Sequence, residues 1–346
     1  MSKTGNRISV AVIGYGYWGP NLARNFRRLG TDVRYICDLD ESLRTLALKD
    51  CPNARFTRNL EDILHDNDVD AVCIATPVST HFDIAMMCLK AGKHCLVEKP
   101  LADSSSHVQE MIALAVAQNL TLMTDHTYLY HGGIRKICEL VKSGVLGPVM
   151  YYDSVRINLG LFQKDVNVIW DLATHDFSIM LYVLGRRPTS ISASAVCHVE
   201  GRPESMAYVT CFFEDSLIVH FHVNWLAPVK IRKTIVGGLN KMIIFDELAA
   251  DEQIKIYDRG VDTMALEYNT REIQISYRTG DMEAPQLDRT EPLGEAVRDF
   301  VESIVDPDRS PVSDGGISYD VIRMLEATEI SHKQNGARVN IDWNGR

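Results

Sequence analysis

The chain has 346 residues, of which 46% are apolar and 24% are charged, and its formal net charge is −10. This length and composition are typical of a globular protein with about two domains. An acidic chain without a basic run is a poor match for nucleic acid or for an anionic membrane surface, so we expect neither as a partner.

Targeting and metal-binding signals are missing from the sequence. No apolar run approaches the roughly 20 residues that a membrane-spanning helix needs, and the polar residues 1–7 do not resemble a signal peptide. The eight cysteines form no CxxC pair, and the eleven histidines form no HxxxH or HExxH pair. We therefore predict a cytoplasmic protein with buried thiols and no metal site.

The first third of the chain alternates short apolar runs with segments of helical character. Strands that are separated by helices imply βαβ units and a parallel sheet. In chain order we predict a strand over 8–13, a helix over 18–29, strands over 33–37 and 71–75, a helix over 78–91, a strand over 94–97, a helix over 106–118 and a strand over 120–123.

After about residue 127 the pattern changes to consecutive strands, which imply a mostly antiparallel sheet. The fold class is therefore α/β, with a second α/β domain over residues 128–346 that contains a mostly antiparallel open sheet. Residues 258–290 carry no clear pattern. We predict helices over 134–143, 171–184, 292–305 and 319–335, and strands over 149–157, 190–198, 207–213, 217–225, 232–236, 241–245 and 253–257.

A glycine-rich loop follows the first predicted strand and opens the first predicted helix, with the sequence GYGYWG at residues 14–19. Gly14 permits the tight turn, Gly16 lets the backbone approach a pyrophosphate, and Gly19 allows the helix to pack closely on the strand. The amino terminus of the helix then offers free N–H groups and a positive dipole end to the phosphates. This pattern predicts a Rossmann dinucleotide-binding domain over residues 1–127.

An acidic residue follows this loop at the expected distance. Asp38 ends the second predicted strand, 24 residues after Gly14. A carboxylate there accepts hydrogen bonds from both ribose hydroxyls and repels a 2′-phosphate, and no arginine follows directly in residues 38–40. NAD is therefore predicted over NADP. The alternative is a glycine turn in another kind of α/β protein, with Asp38 only solvated.

Thr76 and Pro77 follow the strand predicted over 71–75. Thr76 can cap the next helix and Pro77 suits its first turn, which would place a helix amino terminus at the sheet edge where Rossmann ligands bind. Capping alone explains the pair equally well. His81 lies one turn further on and fits a structural role better than a catalytic one.

A lysine follows the strand predicted over 94–97, in the tripeptide Glu98-Lys99-Pro100. The carboxyl end of a strand in an open α/β sheet faces the ligand crevice, so Lys99 could donate a hydrogen bond to a substrate hydroxyl and take part in proton transfer. By position alone, a surface lysine paired with Glu98 is an equally good explanation.

Asp171 and His175 are four residues apart on a predicted helix and therefore share one face. A carboxylate beside an imidazole can fix its tautomer and raise its basicity, so that His175 could take a hydroxyl proton as hydride leaves the carbon. The alternative is that Asp171 caps the helix and His175 only packs in the core. Without other evidence, an Asp/His pair of this kind favours this structural interpretation.

Together these residues resemble the glucose–fructose oxidoreductase/inositol dehydrogenase/MocA (Gfo/Idh/MocA) family of oxidoreductases. The resemblance covers essentially the whole chain. It rests on the glycine loop, on residues 75–77 with His81, on residues 98–100, on residues 171–175 and on the tail at 293–335.

The resemblance implies an NAD-dependent dehydrogenase that acts on CH–OH groups. Lys99 would hold and polarise the reacting hydroxyl, His175 would be the acid/base, and Asp171 would be its neighbour at the substrate. A homodimer or homotetramer, formed through the open face of the second sheet, is also implied. The implied cofactor-binding residues are Gly14, Gly16, Tyr17, Trp18, Gly19, Asp38, Thr76, Pro77, His81, Glu98 and Lys99.

The family acts on sugars, inositols, sugar phosphates, nucleotide sugars and related polyols. Residues 156–160 resemble members from nucleotide-sugar pathways, which points to oxidation of a nucleotide sugar at C3 or reduction of its 3-keto form. Tyr128, Arg156 and Asn158 would then line the sugar pocket, although strand and loop structure explains these three residues equally well. Ala-Thr precedes His175 where many relatives have glycine, which affects the expected orientation of the substrate more than the chemistry.

Three alternative functions remain at this stage. An inositol, polyol or free-sugar dehydrogenase would use the same residues. A non-catalytic NAD-binding regulator would not need both Lys99 and His175, so their joint presence argues for catalysis. A dehydrogenase for amino acids or hydroxy acids would need a motif to bind a carboxylate, and no such arginine motif is evident.

Overall fold

The computed structural model describes residues 7–160, 166–262 and 276–343. The chain divides into two compact units, and the described part of the first contains residues 7–131 and 290–323. The remaining described residues, 132–289 without the gaps and 324–343, form the second unit. This division differs from the single boundary after residue 127 that we predicted.

The first unit contains a parallel sheet in the strand order β3-β2-β1-β4-β5-β6. This is the order of a Rossmann fold, in which the crevice between β1 and β4 is the binding position for a dinucleotide. The strands are β1 (Ser9–Ile13), β2 (Asp32–Cys37), β3 (Arg55–Thr57), β4 (Ala71–Ile74), β5 (His94–Glu98) and β6 (Leu122–Asp125).

Helices connect these strands, and the predicted ones are present with small shifts at their ends. The sequence patterns did not indicate α2, β3 or α3, because elements of three to seven residues are too short to show a periodicity. The helices are α1 (Gly19–Arg28), α2 (Arg44–Asp50), α3 (Glu61–Leu64), α4 (His81–Lys90) and α5 (Ser105–Ala117).

The second unit contains a mixed, mostly antiparallel sheet in the order β16-β13-β12-β11-β7-β10-β9-β8-β17, in which β7 and β10 pair in parallel. The predicted fold class is therefore confirmed. The elements are α6 (Gly132–Lys142), β7 (Val149–Leu159), α7 (Thr174–Leu184), β8 (Ser190–Val196), β9 (Met206–Phe212), β10 (Ile218–Asn224), β11 (Leu226–Gly238), β12 (Met242–Asp246), β13 (Ile254–Tyr257), β14 (Gly260–Asp262), β15 (Ser276–Arg278) and β16 (Met282–Glu283). Strands β14 and β15 pair with each other.

Alternating burial shows that this sheet has one packed face and one open face. On β9 and β10 every second residue is buried, and the residues between them are partly or fully exposed. Phe177 of α7 packs edge-to-face on Phe221 of the buried side, with ring centroids 5.1 Å apart. The core of the second unit therefore lies between this sheet face and its helices.

The last helices are α8 (Pro292–Val305) and α9 (Gly315–Lys333), and the short strand β17 (Val339–Asn340) follows them. Phe300 of α8 packs edge-to-face on Phe26 of α1, and Glu291 forms ion pairs with Arg24 and Arg28. These contacts return residues 290–323 to the first unit, because an amphipathic helix packs where its apolar face fits rather than where its sequence neighbours lie. Within the described ranges, no helix has the length and apolar character needed to cross a bilayer.

Candidate functional site

The glycine loop between β1 and α1 is shaped by three different steric demands. Gly14 has φ +89°, and a methyl group on it would lie 2.6 Å from the carbonyl oxygen of Ala75. A methyl group on Gly19 would collide with the Gly14 carbonyl, whereas one on Gly16 would meet nothing within 4 Å. Gly16 therefore presents bare backbone to an open space, which is what a pyrophosphate group needs.

This open space is a cleft of about 350 Å³ at the carboxyl ends of β1, β2 and β4. Gly14, Gly16, Asp38, Thr76 and Pro77 all line it, so the structure brings these five predicted residues together. The apolar side chains of the cleft can cover an adenine ring, and its glycine and carboxylate edges can hold phosphate and ribose. The residues present therefore fit NAD.

Asp38 is held rigidly at the end of β2. Its Oδ2 accepts the backbone N–H of Tyr15 at 2.6 Å, and its Oδ1 accepts the backbone N–H of Asp40 at 2.8 Å. A carboxylate has about four acceptor sites, so both oxygens retain capacity for ribose hydroxyls. The neighbouring Cys37 is a neutral thiol, because burial, aided by the charge of Asp38, raises its pKa to about 11.

Arg58 is a lining residue that our sequence analysis did not find. It follows β3 and donates from Nε to the carbonyl oxygen of Leu39 at 3.0 Å, within the same cleft as Asp38. We argued against NADP partly because no arginine follows Asp38 directly, and the structure brings one there from 20 residues further along. No sequence pattern indicated Arg58, because β3 has three residues and is too short to show a periodicity.

Tyr17 and Trp18 extend the glycine loop toward solvent. Tyr17 is 82% exposed and Trp18 is 43% exposed, and their rings meet edge-to-face at 5.2 Å. Trp18 also occupies the N-cap position of α1 without a side-chain capping bond. Their predicted contact with the cofactor stays a prediction.

Thr76 does not cap a helix, contrary to one of our interpretations. The turn at Val78–Thr80 has no side-chain cap, and Thr76 Oγ1 instead accepts a hydrogen bond from Thr80 Oγ1 at 2.8 Å. His81 is 1% exposed, and its two ring nitrogens lie 2.8 Å from the Thr76 carbonyl and 2.9 Å from the Pro100 carbonyl. His81 thus ties the loop after β4 to the loop after β5.

Lys99 is half-buried and follows β5 at the same edge of the sheet as the cleft. Glu98 before it is buried, and Glu98 Oε2 accepts the Lys99 backbone N–H at 3.3 Å. Tyr128 is half-buried and lies in a 3₁₀ turn (Thr127–Tyr130) just after β6, the strand next to β5 in the sheet.

In the second unit, Asp171 lies in a π-helical turn (Ile169–Ala173) that leads directly into α7, and half-buried His175 is the second residue of α7. Single π-turns inside helices are frequent at functional sites. Asn167 accepts the backbone N–H groups of Ile169 and Trp170 at 3.1 Å each and so begins the turn. Our prediction of a regular helix from residue 171 therefore needs this correction.

Trp225 is a second residue that the sequence patterns did not reveal. It is 1% exposed and donates from its indole nitrogen to Asp171 Oδ2 at 3.1 Å. A methyl group on Gly160 would lie 2.7 Å from the indole ring, so a glycine is needed beside it. The indole therefore fixes the orientation of the Asp171 carboxylate.

Arg156, which we expected in a sugar pocket, lies in the interior of the second unit. Its side chain is 5% exposed, and Nε is 2.8 Å from Asp176 Oδ2, whose side chain is 2% exposed. Ser154 donates to the same Asp176 at 2.8 Å. Asn158, two residues along β7, is half-buried. The contact of either residue with a substrate stays a prediction.

Comparison with known proteins supports the class of protein that this fold and cleft define, an NAD-binding oxidoreductase. Residues 8–126 match the model of an oxidoreductase family with an NAD-binding Rossmann fold, and residues 134–242 match the GFO/IDH/MocA C-terminal domain. The chain belongs to the Gfo/Idh/MocA family of oxidoreductases, and the predicted resemblance is confirmed.

Individual relatives share modest identity with this chain. It is 26% identical over 240 residues to UDP-N-acetylglucosamine 3-dehydrogenase of Acidithiobacillus ferrooxidans, covering 68% of this chain and 71% of that protein. It is 24% identical to myo-inositol 2-dehydrogenase of Thermotoga maritima, covering 54% and 58%. The structure of GenD2 from gentamicin A biosynthesis in complex with NAD superposes with a TM-score of 0.82 at 23% identity, covering 99% and 98%.

We predict that Asp38→Ala weakens NAD binding at least about tenfold, because hydrogen bonds to a charged acceptor contribute about 1.5–3 kcal/mol each. The ratio of NADP affinity to NAD affinity should rise, because the variant no longer repels a 2′-phosphate. Titration calorimetry with both dinucleotides measures this. Asp40→Ala is the control, since that exposed carboxylate accepts the Ser42 N–H at 2.9 Å and Asp40 does not line the cleft. An unchanged preference in Asp38→Ala would refute the ribose assignment.

Proposed function

We propose that the protein catalyses reversible hydride transfer between NAD and a secondary alcohol carbon of a sugar. The observation that carries this proposal is Lys99, which follows β5 at the same sheet edge as the NAD cleft. More specifically, we propose a nucleotide sugar that is oxidised at C3, or reduced from its 3-keto form. The relative named UDP-N-acetylglucosamine 3-dehydrogenase supports this narrower assignment.

Lys99 is the residue that we assign to the reacting hydroxyl. Its ammonium group donates a hydrogen bond to the hydroxyl oxygen and stabilises the negative charge that develops there as the proton leaves. When bound, NAD supplies the hydride acceptor or donor. The chain orients the substrate and moves the proton.

His175 is the residue that we assign to proton transfer, and Asp171 is its neighbour at the substrate. An imidazole takes or gives a proton near neutral pH without a large change in its environment. The indole of Trp225 donates to Asp171 Oδ2 at 3.1 Å. A carboxylate has about four acceptor sites, so Asp171 can also accept a hydrogen bond from a sugar hydroxyl. Tyr128, Arg156 and Asn158 remain proposed substrate residues, of which Arg156 is the most buried.

An inositol or other polyol is the second candidate substrate, and the myo-inositol 2-dehydrogenase relative favours it. The chemistry at Lys99 and His175 would be the same, because both substrates present a ring carbon that bears a secondary hydroxyl. A purely regulatory NAD-binding protein would have no use for the two groups together.

We also propose that the protein forms a homodimer or homotetramer in the cytoplasm. The open face of the second sheet carries exposed apolar and aromatic side chains, including Tyr208 and Ile218, which a second copy of the chain would cover. Tyr208 stacks on His222 of the neighbouring strand at 4.4 Å, so an aromatic surface extends over two strands of this face. All eight cysteines are free thiols, which suits a reducing compartment.

We predict that NADH absorbance appears fastest with a nucleotide sugar when the protein and NAD are incubated with a panel of nucleotide sugars, free sugars and inositols. Enzyme lacking NAD and reactions lacking sugar are the controls. Product analysis for a 3-keto group tests the position of oxidation. Turnover of inositols alone would replace the nucleotide-sugar assignment with the polyol assignment.

We predict that Lys99→Met lowers kcat at least about 100-fold, because a positioned proton-transfer or hydrogen-bonding group contributes about 10²–10⁴-fold. NAD affinity should stay within about threefold of the wild-type value, a factor that corresponds to less than 1 kcal/mol. Lys90→Met, at an exposed position on α4, is the matched control. Wild-type turnover in Lys99→Met would eliminate the proposed role.

We predict that His175→Ala flattens the pH dependence of kcat/KM between about pH 5 and 8, the range in which imidazole groups change charge. The assay measures initial rates across this range with the substrate that the panel identifies. His65→Ala is the control, because the His65 side chain is 80% exposed. A pH profile identical to that of the wild type would count against proton transfer by His175.

A further inference from the structure

Two buried carboxyl groups lie side by side where β5 and β6 end. Glu98 and Asp125 are register partners on these adjacent parallel strands, and they are 8% and 3% exposed. Side chains at register positions of neighbouring strands lie on the same face of the sheet, so the two carboxyl groups are neighbours in the interior. Two ionised carboxylates repel each other there and only accept hydrogen bonds, so one proton between them is favoured.

The donors around the pair indicate which group carries that proton. Asp125 Oδ1 accepts a hydrogen bond from Thr127 Oγ1 at 2.6 Å, and Glu98 Oε2 accepts the Lys99 backbone N–H at 3.3 Å. Glu98 Oε1 meets no N–H or O–H donor anywhere in the described ranges. A buried charged oxygen without a donor is unfavourable, whereas a hydroxyl at Oε1 needs only an acceptor.

Electrostatics leads to the same assignment. Burial raises the pKa of Glu98 well above its ordinary range, and the charge of Asp125 adds to this effect. Burial also raises the pKa of Asp125, to about 6, although hydrogen bonds from Thr127 and Glu98 oppose the rise. At neutral pH, Asp125 is therefore the ionised partner and Glu98 the neutral acid.

Apart from Lys99, the titratable groups around the pair are neutral. Cys73 on β4 is a neutral thiol, because burial raises its pKa well above its ordinary range. His126 is 1% exposed, and burial followed by the charge of Lys99 lowers its pKa to about 3, so its ring is neutral. The charge of Lys99 acts on both carboxyls. With a single shared proton, the two carboxyl groups together carry one negative charge, next to the positive charge of Lys99.

We propose that Glu98 is a neutral acid that donates from Oε1 to the Asp125 carboxylate, and that Asp125 is a positioning residue that supplies the counter-charge of Lys99. Glu98 fixes the place of that negative charge, and Asp125 in turn holds the ammonium group at the carboxyl edge of the sheet. The consequence for catalysis rests on the function proposed above, whereas the protonation of Glu98 does not.

Infrared spectroscopy of the wild-type protein at pH 7 tests the protonation directly. A protonated carboxylic acid has a carbonyl stretching band that is well separated from the bands of a carboxylate. We expect this band in the ligand-free protein, and we expect it to shift when glutamate, but not aspartate, carries carboxyl ¹³C. A missing band, or one that shifts only with labelled aspartate, would overturn the assignment.

Two near-isosteric variants identify the residue. Glu98→Gln should lose the acid band, while Asp125→Asn should retain it at a changed frequency because the acceptor of the acid has become an amide. The circular dichroism spectrum of each variant shows that it is folded. If the full band persists in Glu98→Gln, another carboxyl group is responsible and the proposal is wrong.

The pH dependence of stability gives a second readout that needs no substrate. Because the pKa of Glu98 is higher in the folded chain than in the unfolded chain, folding binds a proton. The stabilisation of the folded state by the proton on Glu98 is then complete below the ordinary pKa of about 4.3. It declines as the pH rises toward the pKa of Glu98 in the folded chain. Glu98→Gln has no such proton, so its Tm should rise relative to that of the wild type above about pH 4.3. A Tm difference that is independent of pH would contradict the proposal.

The role of Asp125 in catalysis is tested separately. Asp125→Asn should shift the pH profile of kcat/KM, because Lys99 loses its counter-charge, and should leave NAD affinity nearly unchanged. Asp103→Asn, at an exposed position, is the control. If Lys99→Met retains turnover, the proposed function fails and the infrared result stands by itself. If the acid band is missing while Lys99→Met is inactive, only the inference about Glu98 fails.

Discussion

The close approach of Gly14 to the carbonyl oxygen of Ala75 is the steric constraint on which the rest of the first unit depends. These residues follow β1 and β4, the neighbouring strands between which the strand order reverses. With a positive φ at Gly14, the chain turns sharply between β1 and α1, and Gly16 lines the open cleft. The crevice for a dinucleotide therefore exists because no side chain fills the point where the two strand ends meet.

Around this crevice, polar side chains are fixed by bonds to the backbone. Asp38 is held by two N–H groups, and His81 links the carbonyls of Thr76 and Pro100. A group with its position already set loses little conformational entropy when a ligand binds. The cofactor site is accordingly built from loops, but from loops that hydrogen bonds make rigid.

Several ionisable groups in the interior of both units lie beside a polar or charged partner. In the second unit, Arg156 and Asp176 neutralise each other in the interior, and Trp225 donates to Asp171. In the first unit, a proton shared by Glu98 and Asp125 would leave one negative charge for Lys99. Removing one member of the fully buried Arg156–Asp176 pair would be strongly destabilising, because it leaves an uncompensated charge in the interior. These residues therefore contribute both to the stability of the fold and to the arrangement of the site.

The amino-acid sequence by itself determined the α/β class, the longer helices and strands, the glycine loop and Asp38, because each depends on local periodicity or on residue spacing within one βαβ unit. Only the tertiary structure decided that α8 returns to the first unit, that Arg58 enters the NAD cleft, that Trp225 holds Asp171, and that Asp125 lies beside Glu98. Each of these joins segments that are distant in the chain. Such contacts depend on which buried surfaces fit together, and no short window of sequence contains both partners.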